Sequence, residues 1–215
     1  MAIKIYGIPM STCTGRVLYT LKEKSLDYEL VPVNMAAGEH KDPQFLAKQP
    51  FGQIPVLENK GLTLFESRAI SRYICDLSPK GEPLYGKTPE DRALVEQWLE
   101  VESQNFNPPI STIVFQLVFS KFRGLTPDQE VVESNLKKLD SVLAIYESHL
   151  ASQDYLAGSF FSLADLSHVP YLHYLINVAK KGDVVTSKKN VSAWWEKISS
   201  RPAWQEVVAA AAAAP

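Results

Sequence analysis

The 215-residue chain carries 22 basic and 24 acidic side chains, and 46% of its residues are apolar. That composition excludes a disordered or collagen-like chain, and a formal net charge of −2 gives no electrostatic motive for a nucleic-acid partner. Two cysteines, Cys13 and Cys75, lack the number and spacing of a disulfide framework or a zinc site. Reduced thiols and no bound metal are therefore expected. The opening residues have no long apolar h-region, and no run of about 18 apolar residues follows, so a cytoplasmic protein without a membrane partner is expected.

Residues 3–6 and 28–33 are short β-prone runs, and the segment between them places Val17, Leu18 and Leu21 at helical spacing. This predicts a βαβ unit. Residues 43–48 predict a short helix, and 54–57 and 62–65 predict two strands joined as a hairpin around Asn59-Lys60-Gly61. A helix then runs from Ser67 towards Leu77, with Ile70 and Ile74 on one face. The order βαβ-α-ββα covers residues 1–77. Residues 78–88 collect Pro, Gly and polar side chains and read as a linker to an all-helical domain over 89–215. The fold class is thus α/β followed by all-α.

Thr88-Pro89-Glu90-Asp91 and Thr126-Pro127-Asp128-Gln129 each read as a Thr cap with Pro at the first helical position. The second helix carries Val132, Leu136, Leu139, Leu143, Tyr146 and Leu150 on one stripe, which predicts a bundle. Residues 110–122 are apolar around the whole helical circumference, Ser162 and Asp165 form a capping box, and Ala209 to Ala214 read as a helix end. His149, His168 and His173 lack metal-ligand spacing.

Chemistry enters at the first βα turn, Gly7 to Thr14. Hydroxyls and a thiol meet the unpaired N–H groups of a starting helix there, which can make an anion site or simply an N-cap. A thiolate held there would be stabilised by the helix dipole and a hydroxyl donor. A shift of about two units from a free pKa of about 8.5 would ionise most of it at neutral pH. Glu66-Ser67 opens another helix directly after a strand. The pair suits a zwitterionic amino-acid end, with Ser67 facing a carboxylate and Glu66 an ammonium group, or else a capped helix with a solvated Glu. Pro55 at the start of a strand marks an edge or a special turn.

These strings resemble the glutathione transferases of the plant phi class. The match runs through Ser11-Thr12-Cys13-Thr14-Gly15-Arg16-Val17, Gly38-Glu39-His40-Lys41, Pro50-Phe51-Gly52-Gln53-Ile54-Pro55, Phe65-Glu66-Ser67-Arg68-Ala69-Ile70, and Tyr155 to Leu166. The resemblance implies a thioredoxin-like first domain with a cis Ile54-Pro55 bond. It implies Ser11 as the donor to a glutathione thiolate, with Thr12 beside it in the binding set. His40 and Lys41 would hold the glycyl end, Gln53 and the Ile54 backbone the cysteinyl part, and Glu66 and Ser67 the γ-glutamyl end. It further implies an electrophile pocket at Met35, Phe115, Phe119 and Tyr174, and a homodimer keyed by Phe51.

Glutathione would then be a co-substrate, with no cofactor. The expected activity is conjugation of the thiolate to small hydrophobic electrophiles, with peroxide reduction as a side activity. Two alternatives stay open: a non-catalytic carrier of apolar ligands, and a thiol transferase using Cys13. About 200° of helical rotation turns Cys13 away from the face of Ser11. Gly15 departs from the larger residue that the resemblance leads one to expect in the first turn.

Overall fold

In the computed structural model, which describes residues 2–213, the alternation of buried Ile3 and Ile5 with exposed Lys4 makes β1 (Ile3–Gly7) the central strand of a small sheet. It is followed by α1 (Thr12–Glu23) and β2 (Tyr28–Pro32), which pairs parallel to β1. A 3₁₀ turn at Glu39–Lys41 precedes α2 (Pro43–Leu46). The antiparallel strands β3 (Val56–Asn59) and β4 (Leu62–Phe65) lead into α3 (Ser67–Leu77). The strand order is β2-β1-β3-β4.

The hairpin turns through Lys60 and Gly61, both left-handed at φ 48° and 86°, as a two-residue turn matched to strand twist requires. One expected strand is displaced: β3 spans Val56–Asn59 rather than 54–57. Pro55, whose bond to Ile54 is cis, has no N–H to give the ladder, so pairing starts after it.

The second half contains α4 (Pro89–Val101), a π-helical turn at Glu102–Phe106, α5 (Asn107–Leu117), a 3₁₀ turn at Phe119–Arg123 and α6 (Gln129–His149). There follow α7 (Leu163–His173), a second π-helical turn at Tyr174–Val178, α8 (Asp183–Thr186), α9 (Lys189–Ser199) and α10 (Pro202–Ala212). The apolar run expected as one helix over 110–122 breaks after Leu117 and tightens into 3₁₀ geometry. The cap of α6 is also corrected. Asp128, not Thr126, accepts the Val131 N–H at 3.1 Å, because a carboxylate there reaches the third amide of a helix that begins at Gln129. Thr88 with Asp91 and Ser162 with Asp165 form reciprocal capping boxes.

Two units result: the residues up to Pro83 together with those from Pro202, and Leu84–Arg201. The last helix therefore leaves the expected 89–215 domain. Trp204 stacks obliquely on Tyr19 with ring centroids 5.4 Å apart, and Lys22 Nζ pairs with Glu206 at 2.8 Å, so α10 covers an apolar flank of α1. The six-Ala run falls within α10 and its end, except Ala214, which lies outside the described residues.

In the other unit the buried Asp165 accepts the Leu156 N–H at 2.9 Å, the Ser162 N–H at 3.0 Å and the Trp194 Nε1–H at 2.9 Å. This carboxyl ties three elements at the centre of the helical core, and burial pushes it above its ordinary range. His168 shares hydrogen bonds with the Ala164 carbonyl and the Tyr146 hydroxyl, the core role expected of a histidine without ligand spacing. Among the described residues no helix is long and apolar enough to cross a membrane.

Candidate functional site

The register of the sheet gathers the chemistry. β1 ends at Gly7 opposite Pro32, Tyr6 pairs with Val56, and Val56 pairs with Phe65. The turn after β1, the segment after β2, the Ile54-Pro55 step before β3 and the Glu66-Ser67 step after β4 consequently leave the sheet at one end. Four segments that are distant in sequence thus lie at one end of the sheet within the first unit.

Ser11 is the N-cap of α1, and its Oγ accepts the Thr14 N–H at 3.3 Å. A hydroxyl that accepts in this way keeps its proton for another partner. Thr12, the first helical residue, is buried beside it. The approach of α1 to β1 needs a glycine at position 7: a β-carbon there would sit 2.5 Å from the Thr14 side-chain oxygen. Cys13, half-buried, has its Sγ 3.8 Å from Arg16 Nη1.

Glu66 caps α3 with φ 71° and ψ 106°, a left-handed conformation costly to a residue with a side chain, while its carbonyl accepts the Ile70 N–H at 2.9 Å. Ser67 is buried, and its Oγ accepts from Arg16 Nη1 at 2.7 Å. Arg16 was not singled out as a site residue in the sequence. The available signal was a lone charge between Gly15 and Val17 on an otherwise uncharged helical turn.

The 3₁₀ turn brings His40 and Lys41 against the loop of Phe51 and Gly52. Lys41 Nζ donates to the Phe51 carbonyl at 2.9 Å, and a β-carbon on Gly52, at φ 60°, would lie 2.6 Å from the His40 carbonyl oxygen. Buried Gln49 braces this loop, its Oε1 accepting the Phe51 N–H at 2.6 Å. The His40 Nδ1 atom is buried without a hydrogen-bond partner, the mark of a polar atom reserved for something else. Gln53 is exposed and Ile54 half-buried. Met35 packs on the cluster of Val33, Phe45 and Val56. In the helical unit, Phe119 and Tyr174 form a ring pair 5.0 Å apart, while Arg123 lies 5.4 Å from the Phe115 ring. Burial pushes the Tyr174 phenol above its ordinary value.

A cis-proline loop and two helix N-termini at one end of a mixed four-stranded sheet, ahead in sequence of a helical unit, define a thioredoxin-like class. The glutathione S-transferase N-terminal domain family matches residues 1–76 and its C-terminal domain family residues 106–202. The chain is 44% identical to glutathione S-transferase F9 of Arabidopsis thaliana over 97% of each chain. It superposes on glutathione transferase F7 of Populus trichocarpa with a TM-score of 0.94 at 52% identity, covering 97% of this chain and 99% of that one. Glutathione S-transferase I from mais, in complex with an atrazine glutathione conjugate, superposes with a TM-score of 0.92 at 40% identity over the whole of both chains. The chain belongs to the glutathione S-transferase family. Within it, the resemblance places it in the plant phi class.

Proposed function

We infer that this protein transfers the sulfur of glutathione to small hydrophobic electrophiles, and the observation that carries the reading is the Ser11 hydroxyl at the N-terminal tip of α1. Its lone pair serves the Thr14 N–H, so its O–H proton is available to a thiolate, and the amides of the first helical turn add a positive field. The glutathione thiol loses its proton to solvent, its sulfur forms the new bond to an electrophilic carbon, and the leaving group departs with the electron pair. Thr12 flanks the sulfur. Lys41 and His40 hold the glycyl carboxylate, and the unpartnered His40 Nδ1 supports that role. Gln53 and the Ile54 backbone hold the cysteinyl part, and Glu66 and Ser67 the γ-glutamyl ammonium and carboxylate. For the acceptor, the resemblance assigns apolar surface to Met35, Phe115, Phe119 and Tyr174, and the ring pair of Phe119 with Tyr174 supports that role for those two. Peroxide reduction by the same thiolate is a side activity of this reading.

Phe51 is 65% exposed on a braced loop, which supports its role as the apolar key of a homodimer. The reduced cysteines support a cytoplasmic setting. The deciding experiment compares wild type with Ser11→Ala in turnover of a chloronitroarene with glutathione. Loss of most turnover with glutathione binding retained supports the transferase. Absence of turnover in the wild type supports a carrier of apolar ligands instead. In a mixed-disulfide assay, activity that depends on Cys13 and not on Ser11 supports a thiol transferase.

A further inference from the structure

One buried cation joins the two helix tips of the first unit. Arg16 lies one turn into α1 with no exposed surface, and its Nη1 donates to Ser67 Oγ at 2.7 Å and approaches Cys13 Sγ at 3.8 Å. One turn further along, Thr20 Oγ1 lies 3.0 Å from Ser71 Oγ. Arg16 with Ser67 and Thr20 with Ser71 are thus two polar rungs that hold α1 and α3 in one axial register. Apolar side chains could fill the same seam without the cost of desolvating a guanidinium, so packing alone does not account for an arginine here.

The Ser67 hydroxyl has one proton and two lone pairs. Arginine has no acceptor, so a hydroxyl that faces it can only receive, and its own proton must turn elsewhere. We propose that Arg16 is the positioning residue for the γ-glutamyl end of glutathione: it fixes the Ser67 hydroxyl as a donor to the α-carboxylate and sets a permanent positive charge behind the α3 tip. This rests on the reading of Ser67 given above. The two hydrogens of Nη1 point to two different partners, Ser67 and Cys13, a fork that a lysine ammonium at the same position does not reproduce.

The test measures KM, kcat and the Kd of glutathione for wild type, Ser67→Ala, Arg16→Lys and the double variant, with melting temperatures taken alongside. Arg16→Met replaces Arg16→Lys if the latter does not fold. Ser67→Ala and the Arg16 variant are each expected to weaken glutathione about tenfold with kcat nearly unchanged, the size of one hydrogen bond to a charged group. The double variant is expected to be no weaker than either single one. An analogue of glutathione lacking the α-carboxylate should bind all four proteins alike. Multiplying losses in the double variant, or a lower melting temperature with KM unchanged, overturns the role of Arg16. Unchanged affinity in Ser67→Ala overturns the reading of Ser67 itself, which is a separate result.

Discussion

Lys41 Nζ donates to the carbonyl oxygen of Phe51 at 2.9 Å, across ten residues of chain. The lysine proposed to meet the glycyl carboxylate is thereby held by the loop that carries the proposed dimer key, so ligand site and interface share one brace. Lys41→Ala should raise the Kd for glutathione about tenfold, and by more at low ionic strength, since an exposed charge-assisted contact is screened by salt. Calorimetric titration at two salt concentrations checks this, and equal affinities of wild type and variant would reject it.

Ser11→Ala removes the donor that favours the charged sulfur. The bound thiol should therefore titrate higher, towards the free value of about 8.5. Turnover at neutral pH should fall by about 10²-fold and recover in part as the pH is raised. The thiolate ultraviolet absorbance of the complex, followed against pH, measures the shift directly. An unmoved titration curve rejects the role of the hydroxyl.

Glu66 holds φ 71°, where its β-carbon is crowded and a glycine, having none, is not. Glu66→Gly should remove a steric cost of about 1–3 kcal/mol and return about 0.5–1 kcal/mol of chain entropy, for a net gain of about 1 kcal/mol. The urea midpoint should rise while glutathione binds more weakly. Loss of both properties would show that the backbone at this position is not strained.

Glu58 receives the Lys48 ammonium and the Tyr6 hydroxyl, and these bonds hold its carboxyl below the ordinary 4.5. A group whose folded value is depressed stabilises above its unfolded value, and that contribution is lost as pH falls from about 4.5 through the depressed value. The pair is partly exposed, so less than about 1 kcal/mol is at stake. Glu58→Gln should lower the urea midpoint at about pH 7, and the difference from wild type should shrink as the pH falls below about 4.5.

Phe51 presents most of its ring to solvent, edge-on to Phe65 at 6.3 Å. Phe51→Asp should convert a dimer into monomers in sedimentation velocity, because burying an unpaired carboxylate in an apolar socket is strongly disfavoured. A wild-type chain that sediments as a monomer would remove the interface altogether.

Much of this was legible because local physics and the fold agree. Val17, Leu18 and Leu21 bury as their spacing predicts, Thr88 and Ser162 cap as their types predict, and Lys60-Gly61 turns the hairpin. The four loop strings carry the resemblance from which the proposed site residues are taken. The misses have causes of another kind. Whether Thr126 or Asp128 caps α6 turns on which oxygen reaches the third amide, and spacing alone leaves both open. The Arg16 to Ser67 contact joins positions 51 residues apart, so no local pattern encodes it. The return of α10 to α1 likewise depends on Trp204 meeting Tyr19, a pairing that composition does not announce.

That return has a consequence during synthesis. A ribosome that has delivered β1 through α3 has supplied the whole sheet, yet Tyr19 still lacks the indole that shields it until residues beyond Pro202 emerge. The glutathione-binding half therefore matures last although it is made first, and nascent chains stalled before that helix should display an apolar flank for chaperones to grip.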